Sequence, residues 1–215
     1  GFFVDRVELI YGSNALQGIG GTGGIVNQVT VGAPKEEGIS GRTLLQASAD
    51  DGFSGDGIGW KAGGLVQYRA GDFDATLGAV YEKRGVYYDG QGRRAGLNLT
   101  QGETQDSRTT NFFARIGYAV SGTGRIDLIA SRFEMKGDGD YVAQPGVRRP
   151  LNSPLKDVPT TAVRGNPPGV PAAGRTESVA LSYTDSDLLG GNFVSQLFFN
   201  RSRDTFGGEI APIAT

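Results

Sequence analysis

The side chains best suited to holding a small ligand stand in two polar, glycine-rich stretches: Tyr87 and Tyr88, then Arg93 and Arg94, and further on Tyr141. Phenol rings beside guanidinium groups suit anionic, catechol-like or chelate ligands, through cation–π contact and charge-assisted hydrogen bonds. Exposed tyrosines and arginines are also ordinary in any loop. Other chemistry is narrowed by what the chain lacks. Its 215 residues include no cysteine and no histidine, which excludes disulfide scaffolds, His- or Cys-ligated metals, most zinc chemistry and every Ser/His or Cys/His arrangement. Lys136-Gly137-Asp138-Gly139-Asp140 suggests a calcium loop but lacks the acidic ligands that follow in an EF-hand, and reads as a turn. Asp185 and Asp187 read as a solvated turn and not as a catalytic carboxylate pair. No catalytic residue, cofactor or metal site is expected, and the chain is not read as an enzyme.

The 21 basic and 23 acidic residues leave a formal charge of −2. That balance gives no strong field for nucleic acid or for an anionic membrane surface. No run of about 18 apolar residues occurs, so no transmembrane helix is expected, but a transmembrane strand needs only about 9–11 residues of alternating character. Residues 1–5 carry no basic region, apolar core or cleavage site, so no signal peptide reads there. On that reading the protein is cytoplasmic or its start is missing.

Residues 5–10 alternate and are rich in β-formers, which predicts a short strand. Ser13 and Asn14 are good helix N-caps, and one helical turn followed by a tight glycine loop fits the next residues. A second strand is predicted over 25–31, where three residues are valine. The loop between them holds a literal G-x-G-x-x-G at Gly18, Gly20 and Gly23. A dinucleotide-binding fingerprint must open a helix and be followed about 20 residues later by an acidic residue. A β-branched strand follows here, and Glu36 and Glu37 come too early. A glycine turn between two strands accounts for the segment without a nucleotide.

These residues carry a family resemblance. Val4-Asp5-Arg6-Val7-Glu8-Leu9-Ile10-Tyr11-Gly12-Ser13, then Ala15-Leu16-Gln17-Gly18, then Gly23-Gly24-Ile25-Val26-Asn27-Gln28-Val29-Thr30 resembles the last part of the plug domain of TonB-dependent outer-membrane receptors. On that likeness Arg6, Glu8, Gly12, Gly18, Gly23, Gly24 and Asn27 are the plug-motif residues. Three positions depart from the family form: Tyr11 stands for an arginine, Ser13 for a proline and Gln17 for a tyrosine. In the family, arginines of this strand pair with glutamates of the barrel wall, so the resemblance carries over only the Arg6 half of that latch. Without it, Arg6 and Glu8 read as a solvated pair worth under about 1 kcal/mol.

The rest of the chain is expected to supply strands around such a plug. Seven are predicted, over 43–50, 59–69, 73–83, 109–120, 125–134, 177–186 and 192–203. Phe73, Ala75, Leu77, Ala79 and Tyr81 fall on one face of the third, with Asp74, Thr76, Gly78 and Glu82 on the other and Val80 as an exception. The fourth places Phe112, Ala114, Ile116, Tyr118 and Val120 opposite Asn111, Arg115 and Gly117, with Phe113 breaking the pattern. Trp60, Tyr68, Phe73, Tyr81 and Tyr118 lie where interfacial girdles would be. Core of a soluble sandwich is the competing reading of these aromatics. The breaks at 51–58, 70–72, 84–108, 121–124, 135–176 and 187–191 alternate longer with tight, as expected of long extracellular loops and short periplasmic turns. The last long break is proline-rich and is expected to hold no strand.

The fold class read from the chain is thus an all-β membrane protein, an antiparallel transmembrane β-barrel. Such plugged barrels have about 22 strands when complete, about seven of them here, with residues 1–34 as the end of the plug and 35–215 as the start of the barrel. The resemblance implies energised uptake of a scarce small molecule across the outer membrane, most commonly a ferric siderophore. Vitamin B12, sugars and other metal chelates are further cargoes of the family. It implies as partners the TonB-ExbB-ExbD complex, acting through an upstream TonB box, and outer-membrane lipid, with no nucleic acid. A passive porin or adhesin barrel and a soluble extracellular β-protein binding carbohydrate are the alternatives.

Overall fold

The structure, a computed structural model, describes residues 2–11, 24–97 and 104–207. Within them the chain is all-β, and no helix is long and apolar enough to cross a membrane. Two strands, β1 (Val4–Tyr11) and β2 (Gly24–Thr30), form an antiparallel pair with a register shift between Val4 and Arg6. The β2 strand confirms that extended chain, and no helix, follows the glycine loop. Gly12, Gly18 and Gly23 and the expected helical turn lie outside the described residues.

A seven-stranded antiparallel sheet comes next, made of β3 (Gly38–Ser48), β4 (Gly59–Ala70), β5 (Phe73–Arg84), β6 (Ser107–Ala119), β7 (Gly124–Gly137), β10 (Ala173–Leu188) and β11 (Gly191–Thr205). Neighbours in the sheet are neighbours in this order, so the sheet is a meander with its edges at β3 and β11. It is an open portion of a barrel wall. β3 begins earlier than its alternation predicts, because Gly38 and Gly41 weaken the strand signal. Gly41 lies so close to β4 that a Cβ there would stand 2.9 Å from the Leu65 carbonyl oxygen.

The proline-rich connection between β7 and β10 does contain strands, contrary to expectation: β8 (Tyr141–Gln144) pairs with β9 (Thr161–Arg164). Pro145 lies just past the end of β8 and Pro159 just ahead of β9. Proline, lacking an N–H, bounds these strands without entering them.

The two faces of the sheet differ as the alternation predicts. On the outward face one register row runs Val66, Leu77, Ala114, Ala130, Val179, Phe199 across β4 to β11. Leu77 is 57% exposed and Phe199 61%; among the described residues nothing covers this face. Left in water it would forfeit the main driving force of folding, whereas hydrocarbon accepts it. Aromatics mark both edges of the band: Trp60 lies 5.0 Å from Tyr81 at the long-loop end, and Tyr68 6.3 Å from Phe73 at the short-turn end. From Phe73 to Tyr81 β5 advances about 27 Å, roughly 20 Å of height at a tilt near 40°, close to the apolar band of a membrane barrel.

The inner face is polar, and the amino-terminal segment lies against it. Asp74 is 2% exposed and Thr76 0%, and Asp74 and Asp127 share the guanidinium groups of Arg115 and Arg125. Val80 and Phe113, the two residues that break the alternation, form an apolar patch with Leu65, and Phe3 sits in it. The Phe3 ring stacks on Phe113 at 5.5 Å, and a Cβ on Gly78 would overlap it. The chain on either side of the β1–β2 pair is tied to the wall by polar contacts: Arg42 donates to the Phe2 carbonyl, Gln67 to that of Gly32 at 3.3 Å, and Arg69 to that of Pro34 at 3.1 Å. Arg6, by contrast, bonds to Glu8 at 2.7 Å and to Asp5 at 3.2 Å on its own strand, all exposed.

Candidate functional site in the long loops

The three long connections, described over 49–58, 85–97 with 104–106, and 138–172, leave the same end of the sheet and meet there. Asp50 shapes the first by accepting from the amides of Gly52 (3.1 Å) and Ser54 (2.8 Å), an Asx-type turn. The loop then joins the second at the Val86 amide, which donates to the Asp56 carbonyl at 2.9 Å. In the second loop Tyr88 bridges to Arg94 around a turn held by Asp89, which accepts from the amides of Gln91 and Arg93. Ala95 then bridges to Thr161, connecting that loop to the β8–β9 hairpin of the third, where Tyr141 stands opposite Arg164. Val86, Tyr141 and Ala162 form a small apolar cluster beneath, with Tyr88 and Leu97 against it.

At the centre lies the Asp56 carboxylate. It accepts from the Tyr88 hydroxyl, from the Tyr141 hydroxyl at 2.8 Å and from Arg94 Nε and Nη2 at 2.8 Å. The Arg94 guanidinium also stands 5.8 Å from the Tyr141 ring centre, and Arg164 5.4 Å from the same ring. Burial alone would push the Asp56 carboxyl up, but the three donors outweigh it and hold it at about 2. The Tyr141 phenol is pushed up to about 12, first by burial and then by its bond to Asp56. Both groups therefore keep their states, anion and neutral donor, across the physiological range.

The structure thus gathers three of the five predicted ligand residues, Tyr88, Arg94 and Tyr141, around a carboxylate that sequence reasoning passed over. Nothing in Asp-Gly-Phe-Ser-Gly-Asp-Gly marks Asp56 apart from an ordinary turn residue, and Arg164 became relevant only once β9 placed it across from Tyr141. Tyr87 keeps its ring exposed while its amide donates a 2.7 Å bond to the side-chain oxygen of the buried Gln105. Tyr87 and Tyr88 border a groove with Asp50, Glu82 and Arg84, and Glu82 in it is paired to Lys61 (3.1 Å) and Arg84 (2.7 Å). Arg93 does not join this site, since it pairs with Asp89 of its own turn at 2.8 Å. Asp138 and Asp140, read as a turn, approach Asp106 to within 4.8 Å, and Arg108 neutralises Asp138 at 2.6 Å. Burial, then the charges of Asp140 and Asp138, push the Asp106 carboxyl up. Asp185 accepts from the Tyr183 hydroxyl at 2.8 Å and the Asp187 amide at 3.0 Å beside a short turn, an ordinary structural arrangement.

Cations stacked on phenols at the mouth of a polar-lined wall can receive an anionic ligand, because such a ligand would compete with Asp56 for Arg94. No covalent chemistry is prepared there: Asp56 is an anion already engaged by three donors.

No protein-family model matches the sequence. No solved structure matches it either. Among curated proteins, the chain is 28% identical to the rhizobactin receptor of Rhizobium meliloti (strain 1021) over 208 residues, covering 95% of this chain and 27% of that protein. It is 28% identical to the ferric aerobactin receptor of Klebsiella pneumoniae over 203 residues, covering 92% of this chain and 26% of the receptor. The Escherichia coli ferric aerobactin receptor is 26% identical over 201 residues, with the same two coverages. The chain spans about a quarter of the length of these relatives. With its outward-apolar meander sheet and the segment docked on the inner face, the chain is siderophore-receptor-like: a length of outer-membrane β-barrel wall resembling the TonB-dependent receptors.

Proposed function

We propose that the chain is part of a receptor that takes up a ferric siderophore across the outer membrane, with residues 1–34 as the end of the plug and 35–215 as the start of the barrel. The observation that carries this reading is the docking of Phe2, Phe3 and residues 31–34 on the polar inner wall, directly ahead of the first barrel strand. A passive porin wall has no need of such a segment. Cargo would bind where the long loops meet, with Arg94, Arg164 and the exposed Tyr87 ring facing it. The TonB-ExbB-ExbD complex would then move the plug, so the work is binding and rearrangement, without bond chemistry.

The relatives receive rhizobactin and ferric aerobactin, so the ferric complexes of these two compounds are the probes. Cells producing the full-length receptor should accumulate radioactive iron from at least one complex, and deletion of tonB should abolish the accumulation. Arg94→Ala should weaken cell-surface binding of that complex about tenfold, as loss of a charged hydrogen bond does. Equal accumulation without TonB would point to a passive channel, and uptake of neither complex would remove this cargo class.

A further inference from the structure

Each of the three donors around Asp56 is placed by contacts that do not involve it. Tyr88 and Arg94 face each other across the bridge of the second loop, which the Ala95 amide closes by donating to the Tyr87 carbonyl at 2.7 Å. Tyr141 is set by the pairing of β8 with β9 and by its apolar cluster with Val86 and Ala162, and the bridge from Ala95 to Thr161 joins the two loops. The acceptor arrives separately, on the first loop. That loop keeps its own shape through the turn at Asp50 and is seated on the second by its backbone, with the Val86 amide on the Asp56 carbonyl and Gly57 close to the Tyr88 ring. The Asp56 carboxylate can therefore leave its donors by turning about its side-chain bonds while both loop backbones stay in place.

The donor set fits one ligand chemistry. Oδ1 of the resident carboxylate accepts from the Tyr88 hydroxyl, and Oδ2 accepts from the Tyr141 hydroxyl and from Nε and Nη2 of Arg94. Two neutral hydroxyls and one guanidinium match a planar group with two oxygens and a single negative charge. A phosphate brings further oxygens and charge that these donors leave unmatched. The Asp56 side chain is 14% exposed and that of Arg94 36%, so an incoming group meets the guanidinium first. Arg164, 5.4 Å from the Tyr141 ring, makes no ion pair among the described residues and is a cation that Asp56 does not neutralise.

We propose that Tyr88, Arg94 and Tyr141 form a carboxylate-binding subsite, and that Asp56 occupies it as an internal competitor until a carboxylate of the cargo takes its place. The exchange sets one carboxylate in place of another on the same donors and breaks no covalent bond, and donors already oriented lose little freedom when the ligand arrives. It rests on the reading of the long loops as the place where cargo binds. A plain fastener would weaken cargo binding when removed. An internal competitor does the opposite, because the nest filled by Asp56 is a binding-incompetent state that lowers the apparent affinity by its population.

The test has two arms, both on the full-length receptor in detergent. In the first, Asp56→Ala is given excess formate, which replaces the deleted carboxylate. The Ala95 amide should regain at least about threefold protection from hydrogen exchange with formate, and none with inorganic phosphate or chloride at the same ionic strength. In the second, the ferric complexes of rhizobactin and aerobactin are titrated. Whichever complex the wild type binds should bind Asp56→Ala at least about fivefold tighter, and Asp56→Ala combined with Arg94→Ala should bind no tighter than Arg94→Ala alone. Asp56→Asn should also bind tighter than the wild type, which keeps this arm readable if the alanine variant fails to fold. Absence of formate rescue, equal rescue by phosphate, or equal or weaker binding of the complex by the Asp56 variants overturns the proposal. If neither complex binds the wild type, the cargo class falls and the formate arm alone decides the subsite.

Discussion

Replacing Asp56 by asparagine keeps the shape of the loop hub and removes its charge. The carboxyl is held at about 2 against an ordinary 3.8, a difference corresponding to about 2 kcal/mol of stabilisation at neutral pH. Arg94 is 36% exposed, and solvent screening there reduces the figure to about 1–2 kcal/mol. Because the folded value lies below the unfolded one, this stabilisation is complete above about pH 4 and is lost as the pH falls through about 2. Tyr141, raised to about 12 from 10.0, contributes below about pH 10 and is lost as the pH rises past that. Hydrogen exchange on the full-length receptor reads the hub at the Val86 amide, bonded to the Asp56 carbonyl, and the Ala95 amide, bonded to the Tyr87 carbonyl. Asp56→Asn should lower protection at both by roughly 5- to 30-fold at pH 7. In the wild type, protection corrected for intrinsic rate should be the same at pH 7 and pH 5. Unchanged protection in the variant, or a wild-type loss between pH 7 and pH 5, would refute the claim that this carboxylate fastens the loops.

Two further substitutions separate the faces of the sheet. Leu77→Arg puts a charge on the outward row between Val66 and Ala114 and should cost about 2–4 kcal/mol at mid-membrane, read as an earlier urea transition in lipid and altered heat-modifiable migration; normal folding would mean this face is not in hydrocarbon. Phe3→Ala empties the inner patch and should weaken the seating of the amino-terminal segment by about 3 kcal/mol, read as faster proteolysis of that segment in the intact protein. Gly78→Ala should act in the same direction by crowding the ring out. If Phe3→Ala leaves proteolysis unchanged, Phe3 does not seat this segment on the wall.

Most of the sheet is legible because a strand between lipid and a polar lumen repeats its chemistry every second residue over a dozen positions, and few local accidents can disguise that. The β5 reading, with Phe73 to Tyr81 outward and Asp74 and Thr76 inward, rests on that period alone. The loops give no such signal. Tyr88, Arg94 and Tyr141 were visible by residue type, but Asp56, their common partner, lies 85 positions from Tyr141 and resembles any aspartate in a turn. The hairpin of β8 and β9 was hidden because proline density measures where strands must stop and says nothing of what fits between the stops.

Averages and exceptions carry different information in such a chain. A net charge of −2 argues against an anionic surface only if charges are mixed, and here the register sorts them: the inner wall pairs Lys61, Arg69, Arg84, Arg115 and Arg125 with acids, while Lys83, Lys136, Arg201 and Arg203, outward at the long-loop end, have no ion pair among the described residues. The same holds for the alternation. Val80 and Phe113 look like noise in a polar face until Phe3 is placed between them, and then they mark where that face stops meeting water. A barrel wall that encloses only solvent has no reason to place two apolar residues side by side on its lumenal face. The defects in the pattern therefore point to what the wall surrounds, as the pattern itself points to the membrane.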